Sequence, residues 1–149
     1  MRKQRALISW GVPLFLVLWA GVLGALQGSR YGGDVTWATD YDTALAQAQR
    51  ERKPVLISAH MPGCGWCRKM DAETFTDPGV VGLSRQFICV RIDSDVDSIL
   101  IEKYRIGQFP MTLILNPEGR EITRFAGYVP PERFATILKE LLPMARPSG

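Results

Sequence analysis

Residues 54–70 read PVLISAHMPGCGWCRKM, and this stretch decides the fold. It opens with a short apolar run, Pro54 to Ala59, which is typical of a buried strand. Two cysteines follow, Cys64 and Cys67, and we predict that a helix begins at the first of them and reaches about Thr74. A Cys-x-x-Cys between a strand and a helix indicates redox chemistry or metal binding.

The position of the two cysteines favours the redox interpretation. The first thiol would meet the unpaired N–H groups and the positive end of the helix dipole, which favour thiolate over thiol. Arg68 and Lys69 add positive charge nearby. The second thiol would lie one turn further along, where it can attack a mixed disulfide and release the partner. We therefore predict that Cys64 is the nucleophile and Cys67 the resolving thiol.

Two other uses of the cysteine pair compete with this interpretation. Half of a structural zinc site would need four ligands, and the further candidates are Cys89 and His60. Cys89 falls inside a predicted core strand, which argues against that site. A static structural disulfide would close only a tiny loop and would stabilise little. We predict no metal and no cofactor other than the redox-active disulfide of Cys64 and Cys67.

The rest of the chain alternates between helices and strands. The predicted elements, in chain order, are helix 41–51, strand 54–59, helix 64–74, a short helix from Asp77–Pro78, strand 87–92, helix 94–104, strand 111–115, a turn at 116–119, strand 120–126 and a helix from Pro131. Thr39–Asp42 has the form of a capping box. Ile99, Ile101 and Tyr104 are expected to be buried. The alternation indicates parallel strands, and the closing hairpin adds an antiparallel edge.

The N-terminal segment predicts a membrane anchor. Ala6 to Leu26 contains no charged residue, and about 20 such residues span a bilayer as a helix. Arg2, Lys3 and Arg5 precede it, so the positive-inside rule places the N-terminus in the cytoplasm and the rest outside. A signal peptide cleaved near Val22–Gly24, with a secreted product, is the alternative. In either case we expect the domain to be periplasmic or otherwise extracytoplasmic.

The predicted organisation has five parts: a basic cytoplasmic start (1–5), a transmembrane signal-anchor helix (6–26), a linker (27–36), a folded domain (37–143) and a tail (144–149). The net charge of +3 comes from the first part of the chain, because four of the 18 Lys and Arg residues precede Tyr31. The rest of the chain has 14 Lys and Arg residues and 15 Asp and Glu residues. A folded part so close to neutral lacks the basic surface of a nucleic-acid-binding protein.

Taken together, these residues resemble the thioredoxin superfamily. Within it they are most similar to the bacterial group that includes the C-terminal domain of the periplasmic transmembrane thiol:disulfide interchange protein. The resemblance covers about residues 37–142, and it rests on Lys53–Ile57, Cys64–Met70, Glu73–Phe75, Val90–Asp93, Tyr104–Pro110, Asn116–Gly119 and Gly127–Tyr128. It implies an α/β thioredoxin fold, in which helices flank a central mixed sheet. It also implies a thiol–disulfide oxidoreductase whose partners are protein thiols or disulfides and a membrane electron donor.

The resemblance also assigns roles around the cysteines. The Phe109–Pro110 bond is expected to be cis and to pack beside them, and the backbone before the proline to pair with the substrate. The alternative is that Pro110 merely starts a strand. Gly65 and Trp66 complete the expected substrate-binding set, although Trp66 could instead cap the helix end.

Three positions depart from the thioredoxin pattern. Thioredoxins usually have a buried Asp six residues before the first cysteine, where this chain has Ser58. Gly63 stands in place of the usual Trp, and Met111 in place of the usual Thr after the proline. These changes leave redox direction open. Strong oxidants of the superfamily tend to have His between their cysteines, so Gly65-Trp66 favours a reductase or an electron relay.

The remaining candidates are His60 and Cys89. His60 could stabilise the Cys64 thiolate or shuttle a proton, or it could lie in a loop and have no role in the reaction. Cys89 is expected to be a small buried apolar residue rather than a third redox centre. The competing function is a chaperone-like module that binds peptides or a membrane partner around Phe109–Pro110, with the cysteines incidental.

Overall fold

The computed structural model describes residues 34–145. The predicted transmembrane helix (6–26), the basic start, most of the linker and residues 146–149 lie outside this range, so those predictions stay open. Within residues 34–145, no helix is both long and apolar enough to cross a bilayer.

The elements of the described part follow the predicted order. They are α1 (Tyr41–Glu51), β1 (Val55–His60), α2 (Gly65–Lys69), a π-helical turn (Met70–Thr74), α3 (Pro78–Ser84), β2 (Ile88–Asp93), α4 (Ser98–Lys103), β3 (Met111–Leu115), β4 (Glu121–Ala126) and α5 (Pro131–Ala145).

The four strands of this part form one mixed sheet in the order β2-β1-β3-β4. β1 and β2 are parallel, in register from Val55–Ile88 to His60–Asp93, whereas β3 is antiparallel to both of its neighbours. The prediction of parallel pairing is therefore confirmed for β1 with β2 and wrong for β3. Met111, the first residue of β3, pairs with Ala59 near the carboxyl end of β1. The chain therefore enters β3 at the end of the sheet where β2 finishes, and does not cross to the opposite end first.

Successive side chains of a strand point to opposite faces, and this assigns the two cores. On the first face, Leu56 and Cys89 pack with Met70 and Phe75 from the segment that follows the cysteine pair, and with α3 and α5. On the second face, Ile57 and its alternate neighbours pack with α1. The face that Leu56 occupies is called the helix face below, because the π-helical turn, which continues α2, packs on that side.

The cap of one helix and the start of another differ from the prediction. Asp40, not Thr39, caps α1, because its carboxylate accepts a hydrogen bond from the Thr43 N–H at 2.7 Å. α4 begins at Ser98 rather than Ser94, since the Asp97 carboxylate accepts from the Asp93 N–H at 2.8 Å and closes a turn after β2.

The predicted buried face of the helix over 94–104 is correct in part. Tyr104 is buried, and its hydroxyl lies 2.5 Å from the hydroxyl of Tyr41 in α1. Ile99, however, is 80% exposed, so its predicted burial is wrong, and Ile101 is only half-buried.

Candidate active site

The two cysteines form a disulfide at the start of α2. Cys64 is the N-cap residue, with extended backbone angles, and its Cα lies 5.3 Å from that of Cys67. The Cys64 sulfur accepts a hydrogen bond from the Cys67 N–H at 3.1 Å. A sulfur that already occupies the N-cap position receives the field and the N–H groups that stabilise a thiolate after reduction.

The two sulfurs differ in their access to solvent. Cys64 is half-buried, while Cys67 is 5% exposed. A substrate thiol or disulfide therefore reaches Cys64 first. This arrangement is consistent with the predicted nucleophile and resolving thiol, and the roles themselves stay predictions.

A tight loop holds the disulfide close to the end of β1. The Cys64 N–H donates to the Met61 carbonyl at 3.2 Å, and Gly63 adopts a φ of +79°. This left-handed conformation favours glycine over any residue with a Cβ. The loop therefore explains why this chain has Gly63 where thioredoxins usually have Trp.

The Phe109–Pro110 peptide bond is cis, as the resemblance implies. The reading of Pro110 as an ordinary strand start is wrong. Met111, the next residue, pairs with Ala59 near the carboxyl end of β1, so the proline lies at the same end of the sheet as the loop to Cys64. The Pro110 carbonyl accepts from the Gly127 N–H at 2.8 Å, while Phe109 precedes β3 and is half-buried.

Four side chains next to the disulfide form what we call the aromatic patch: Trp66, Lys69, Glu73 and Tyr128. The Trp66 ring is 59% exposed, and its centre lies 5.9 Å from that of Tyr128. The Lys69 ammonium lies 5.4 Å and 4.7 Å from the two ring centres. The Tyr128 hydroxyl donates to the Glu73 carboxylate at 2.5 Å, which raises the pKa of Tyr128.

The aromatic patch answers one open question and adds three residues to the site. Cys64 caps α2, so Trp66 is not the helix cap and presents its ring to solvent. Lys69, Glu73 and Tyr128 each belong to segments that carried the resemblance, but nothing in the sequence pattern indicated that they meet.

Ser58 is buried in β1, at 2% exposure, and alternation places it on the helix face. Its register partner on β2 is Arg91, which shares that face. The Arg91 guanidinium donates to the Asp71 carboxylate of the π-helical turn at 2.6 Å and stacks 4.4 Å from the Trp37 ring centre. A cation thus lies on the strand next to the position where thioredoxins have their buried acid.

The prediction that His60 lies in a loop is wrong, and its role stays a prediction. The histidine is the last residue of β1 and pairs in register with Asp93, the last residue of β2. Its Nε2 lies 3.2 Å from the Asp93 carboxylate. Its Nδ1 is buried and has no hydrogen-bond partner among the described residues.

Cys89 is buried in β2, and its sulfur lies 3.6 Å from the Ser84 carbonyl. Burial raises the pKa of the Cys89 thiol to about 12. The surroundings therefore agree with the prediction of a small apolar core residue. Over residues 34–145, no three His, Cys, Asp or Glu side chains are grouped so that they could hold a metal ion.

Comparison with known proteins decides the family. The sequence profile of the thioredoxin-like domain matches residues 41–142. The chain belongs to the thioredoxin-like domain family. The resemblance seen in the sequence is thereby confirmed at the level of the family.

Three individual similarities add detail. Spermatogenesis-associated protein 20 of Mus musculus is 31% identical over 109 residues, which cover 66% of this chain and 13% of that protein. The thiol:disulfide interchange protein DsbD of Pseudoalteromonas atlantica is 26% identical over 109 residues, which cover 69% of this chain and 18% of that protein. The solution structure of a thioredoxin from Thermus thermophilus superimposes with a TM-score of 0.65 at 27% identity, covering 73% of this chain and 88% of that one.

The similarities therefore concern one domain, since the matched region spans less than a fifth of either full-length relative. Within that domain, the thioredoxin fold and the closely spaced Cys64–Cys67 disulfide together support a thiol–disulfide oxidoreductase.

Proposed function

We propose that this protein is an extracytoplasmic thiol–disulfide oxidoreductase that reduces protein disulfides or relays electrons to them. The observation that carries the proposal is the Cys64–Cys67 disulfide at the start of α2, with Cys64 accessible and capping the helix. Thioredoxin-like relatives such as DsbD are named for interchange between thiols and disulfides, which agrees with this chemistry.

The proposed cycle moves two electrons from the reduced pair to the substrate. The Cys64 thiolate attacks one sulfur of a substrate disulfide, and the other substrate sulfur leaves and takes up a proton. Cys67 then attacks the Cys64 sulfur, which breaks the mixed disulfide and releases the second substrate thiol. The Cys64–Cys67 disulfide re-forms, and a dithiol donor, which we place on a membrane protein, reduces it again.

The substrate chain is proposed to bind between the aromatic patch and the cis-proline. Trp66 offers an exposed aromatic ring beside the disulfide. Phe109 and Pro110 precede β3, whose pairing with β4 begins at Met111, so an extended substrate segment can add to the backbone before the proline. Gly65 keeps the approach to Cys64 open, since it has no side chain.

The cellular location of the domain and the direction of its redox reaction are proposed from the sequence. The uncharged segment Ala6 to Leu26 and the basic residues before it support an anchor with the domain outside the cytoplasm. Gly65-Trp66 between the cysteines supports a reductase or relay over a primary oxidant, although the electron supply of the compartment decides direction as well.

Reduction of insulin by the full-length chain in detergent, with dithiothreitol as electron source, tests the activity. Cys64→Ser should abolish the acceleration, whereas Cys89→Ser, the matched control at a buried cysteine, should keep it. Equal activity of Cys64→Ser and the unmodified chain would contradict the proposal.

The exposed Trp66 ring also fits the second candidate, a peptide-binding module without redox function. That candidate predicts that a Cys64→Ser, Cys67→Ser double variant binds unfolded peptides as tightly as the unmodified chain and keeps its function in cells. Loss of cellular function with retained peptide binding would favour the oxidoreductase.

A further inference from the structure

The pair of His60 and Asp93 is held in a fixed orientation at the carboxyl end of the sheet. The two residues are register partners, and the Asp93 carboxylate lies 3.2 Å from Nε2 of His60. Asp93 is itself fixed by the next turn: its carboxylate accepts from the Asp95 N–H at 2.9 Å, and its own N–H donates to Asp97 at 2.8 Å.

This contact favours one tautomer of the imidazole. A carboxylate only accepts hydrogen bonds, so the nearby Asp93 carboxylate favours the neutral form of His60 with its proton on Nε2. Nδ1 then carries the lone pair. Buried nitrogens normally have a partner, yet Nδ1 is buried and without one among residues 34–145 while the cysteines are oxidised.

The His60 side chain points toward the element that carries the cysteines. Alternation along β1 places His60 on the helix face with Leu56, which packs in one cluster with Met70 from the segment after Cys67. Alternation along β2 places Asp93 on the same face as Arg91, whose guanidinium contacts Asp71 of that segment. Both partners therefore lie on the side of the sheet against which the π-helical turn after Cys67 packs.

Cys67 requires a base that the usual position does not supply. The resolving thiol must lose its proton to attack, and at 5% exposure its sulfur has little contact with water that could take the proton. Ser58, at the place where thioredoxins have an acid, cannot accept a proton near neutral pH. His60 lies two residues further along β1 than Ser58 and on the same face, and its Nδ1 has no hydrogen-bond partner among residues 34–145.

We propose that His60 is the base for Cys67 and that Asp93 is its positioning residue. This inference rests on the proposed oxidoreductase function. Nδ1 of His60 takes the proton from the Cys67 thiol while the Cys67 sulfur attacks the Cys64 sulfur. The bond between Cys64 and the substrate sulfur breaks, that sulfur leaves with the electron pair, and it is protonated by the imidazolium or by solvent. Asp93 favours the neutral form of His60 with its proton on Nε2, and its carboxylate stabilises the imidazolium that forms.

Other charged groups on the neighbouring elements could influence the same titration. They are Arg91 and Asp93 on β2, Asp95 and Asp97 in the following turn, and Arg68, Lys69 and Asp71 on the segment after Cys64. A variant that changes the local charge without touching the imidazole is therefore needed, and Asp95→Asn supplies it, since the Asp95 side chain contacts Ser94.

The test uses the reduced full-length chain in detergent and an aryl disulfide, 5,5′-dithiobis(2-nitrobenzoate), as the substrate. Attack by Cys64 releases the first thionitrobenzoate, and attack by Cys67 on the mixed disulfide releases the second. Both phases are recorded by stopped-flow absorbance between pH 6 and pH 10 in a Cys89→Ser background. The first phase reports the nucleophile, and the second reports the proposed base.

His60→Gln should slow the second phase about 100-fold at pH 7, the lower range for a positioned general base. Asp93→Asn should slow it about tenfold, with the first phase within twofold of the unmodified chain in both variants. The deficits should shrink as the pH rises, because hydroxide then removes the thiol proton. Asp95→Asn should leave both phases unchanged.

Three outcomes would overturn the inference. One is a second phase that His60→Gln leaves unchanged, and another is a deficit that stays constant from pH 7 to pH 10, which indicates a structural effect. A slowed first phase with a normal second phase would assign His60 to Cys64 instead. If His60→Gln does not fold, Asp93→Asn carries the same pH test. Absence of both phases in the unmodified chain would contradict the proposed function rather than the base.

Discussion

At the scale of single residues, the three cysteines differ in the surroundings of their sulfurs. Cys64 caps a helix and accepts the Cys67 N–H, Cys67 is buried within α2, and Cys89 lies in the core of the sheet. A thiolate reacts and a thiol does not, so these surroundings should separate their rates.

We predict that iodoacetamide modifies Cys64 of the reduced chain near pH 7 far faster than Cys67 or Cys89. With a pKa of about 12, only ~10⁻⁵ of Cys89 is thiolate at that pH. Peptide mass mapping over time measures the three rates. Equal rates at all three positions would remove the assignment of Cys64 as the nucleophile.

Ser58 gives a second prediction at this scale. Ser58→Asp places a carboxylate at a position that is 2% exposed, so the free energy of unfolding should fall by about 1–3 kcal/mol. If the missing acid matters, release of a Cys64-linked peptide should become about tenfold to 100-fold faster. Denaturant unfolding and single-turnover release measure the two effects, with Ser58→Ala as the control. No change in either would contradict the placement of residue 58 on the helix face.

At the scale of elements, the sequence predicts β1, α2 and α3 well because their signals are local. The apolar run before the cysteines forms β1, and Asp77 caps α3, with Pro78 at its first position, as predicted. The π-helical turn and the Arg91–Asp71 ion pair were not predicted, because they depend on how a helix lies on the sheet. The contact of His60 with Asp93 likewise depends on the register of two strands, which neither segment encodes alone.

The Arg91–Asp71 pair ties β2 to the π-helical turn, and we predict a coupling of about 0.5–1 kcal/mol between the two side chains. The estimate is small because the Asp71 side chain is 43% exposed. Arg91→Met alone should cost more than the coupling, since Arg91 also stacks on Trp37. Denaturant unfolding of Arg91→Met, Asp71→Asn and the double variant measures the cycle. A coupling of zero would show that the pair does not hold the turn.

At the scale of the whole molecule, the fold class was predictable and the direction of one strand was not. The family, the mixed sheet and the order of elements follow from the cysteine motif, the hydrophobic periodicities and the cis-proline segment. The orientation of β3 depends on which end of the sheet the chain reaches after α4. The order of helices and strands along the sequence does not record which end that is. The aromatic patch joins Trp66 and Tyr128, which are far apart in sequence, so only the folded chain reveals it.

The anchor is a prediction at the same scale. A periplasmic reporter fused after Gly149 should be active outside the cytoplasm, and the protein should stay with membranes after an alkaline wash. N-terminal sequencing of the purified chain distinguishes the alternatives. A mature form that starts near Ala25 would replace the anchor with a cleaved signal peptide.

The most direct test of the oxidoreductase proposal is capture of a mixed disulfide in cells by the full-length Cys67→Ser variant. Without the resolving thiol, Cys64 should remain joined to its substrate proteins in complexes that survive denaturing electrophoresis and disappear with reductant. The Cys64→Ser, Cys67→Ser double variant is the matched control and should capture nothing. The absence of complexes from Cys67→Ser, or identical complexes from the double variant, would contradict the assignment of Cys64 and Cys67 as a redox pair.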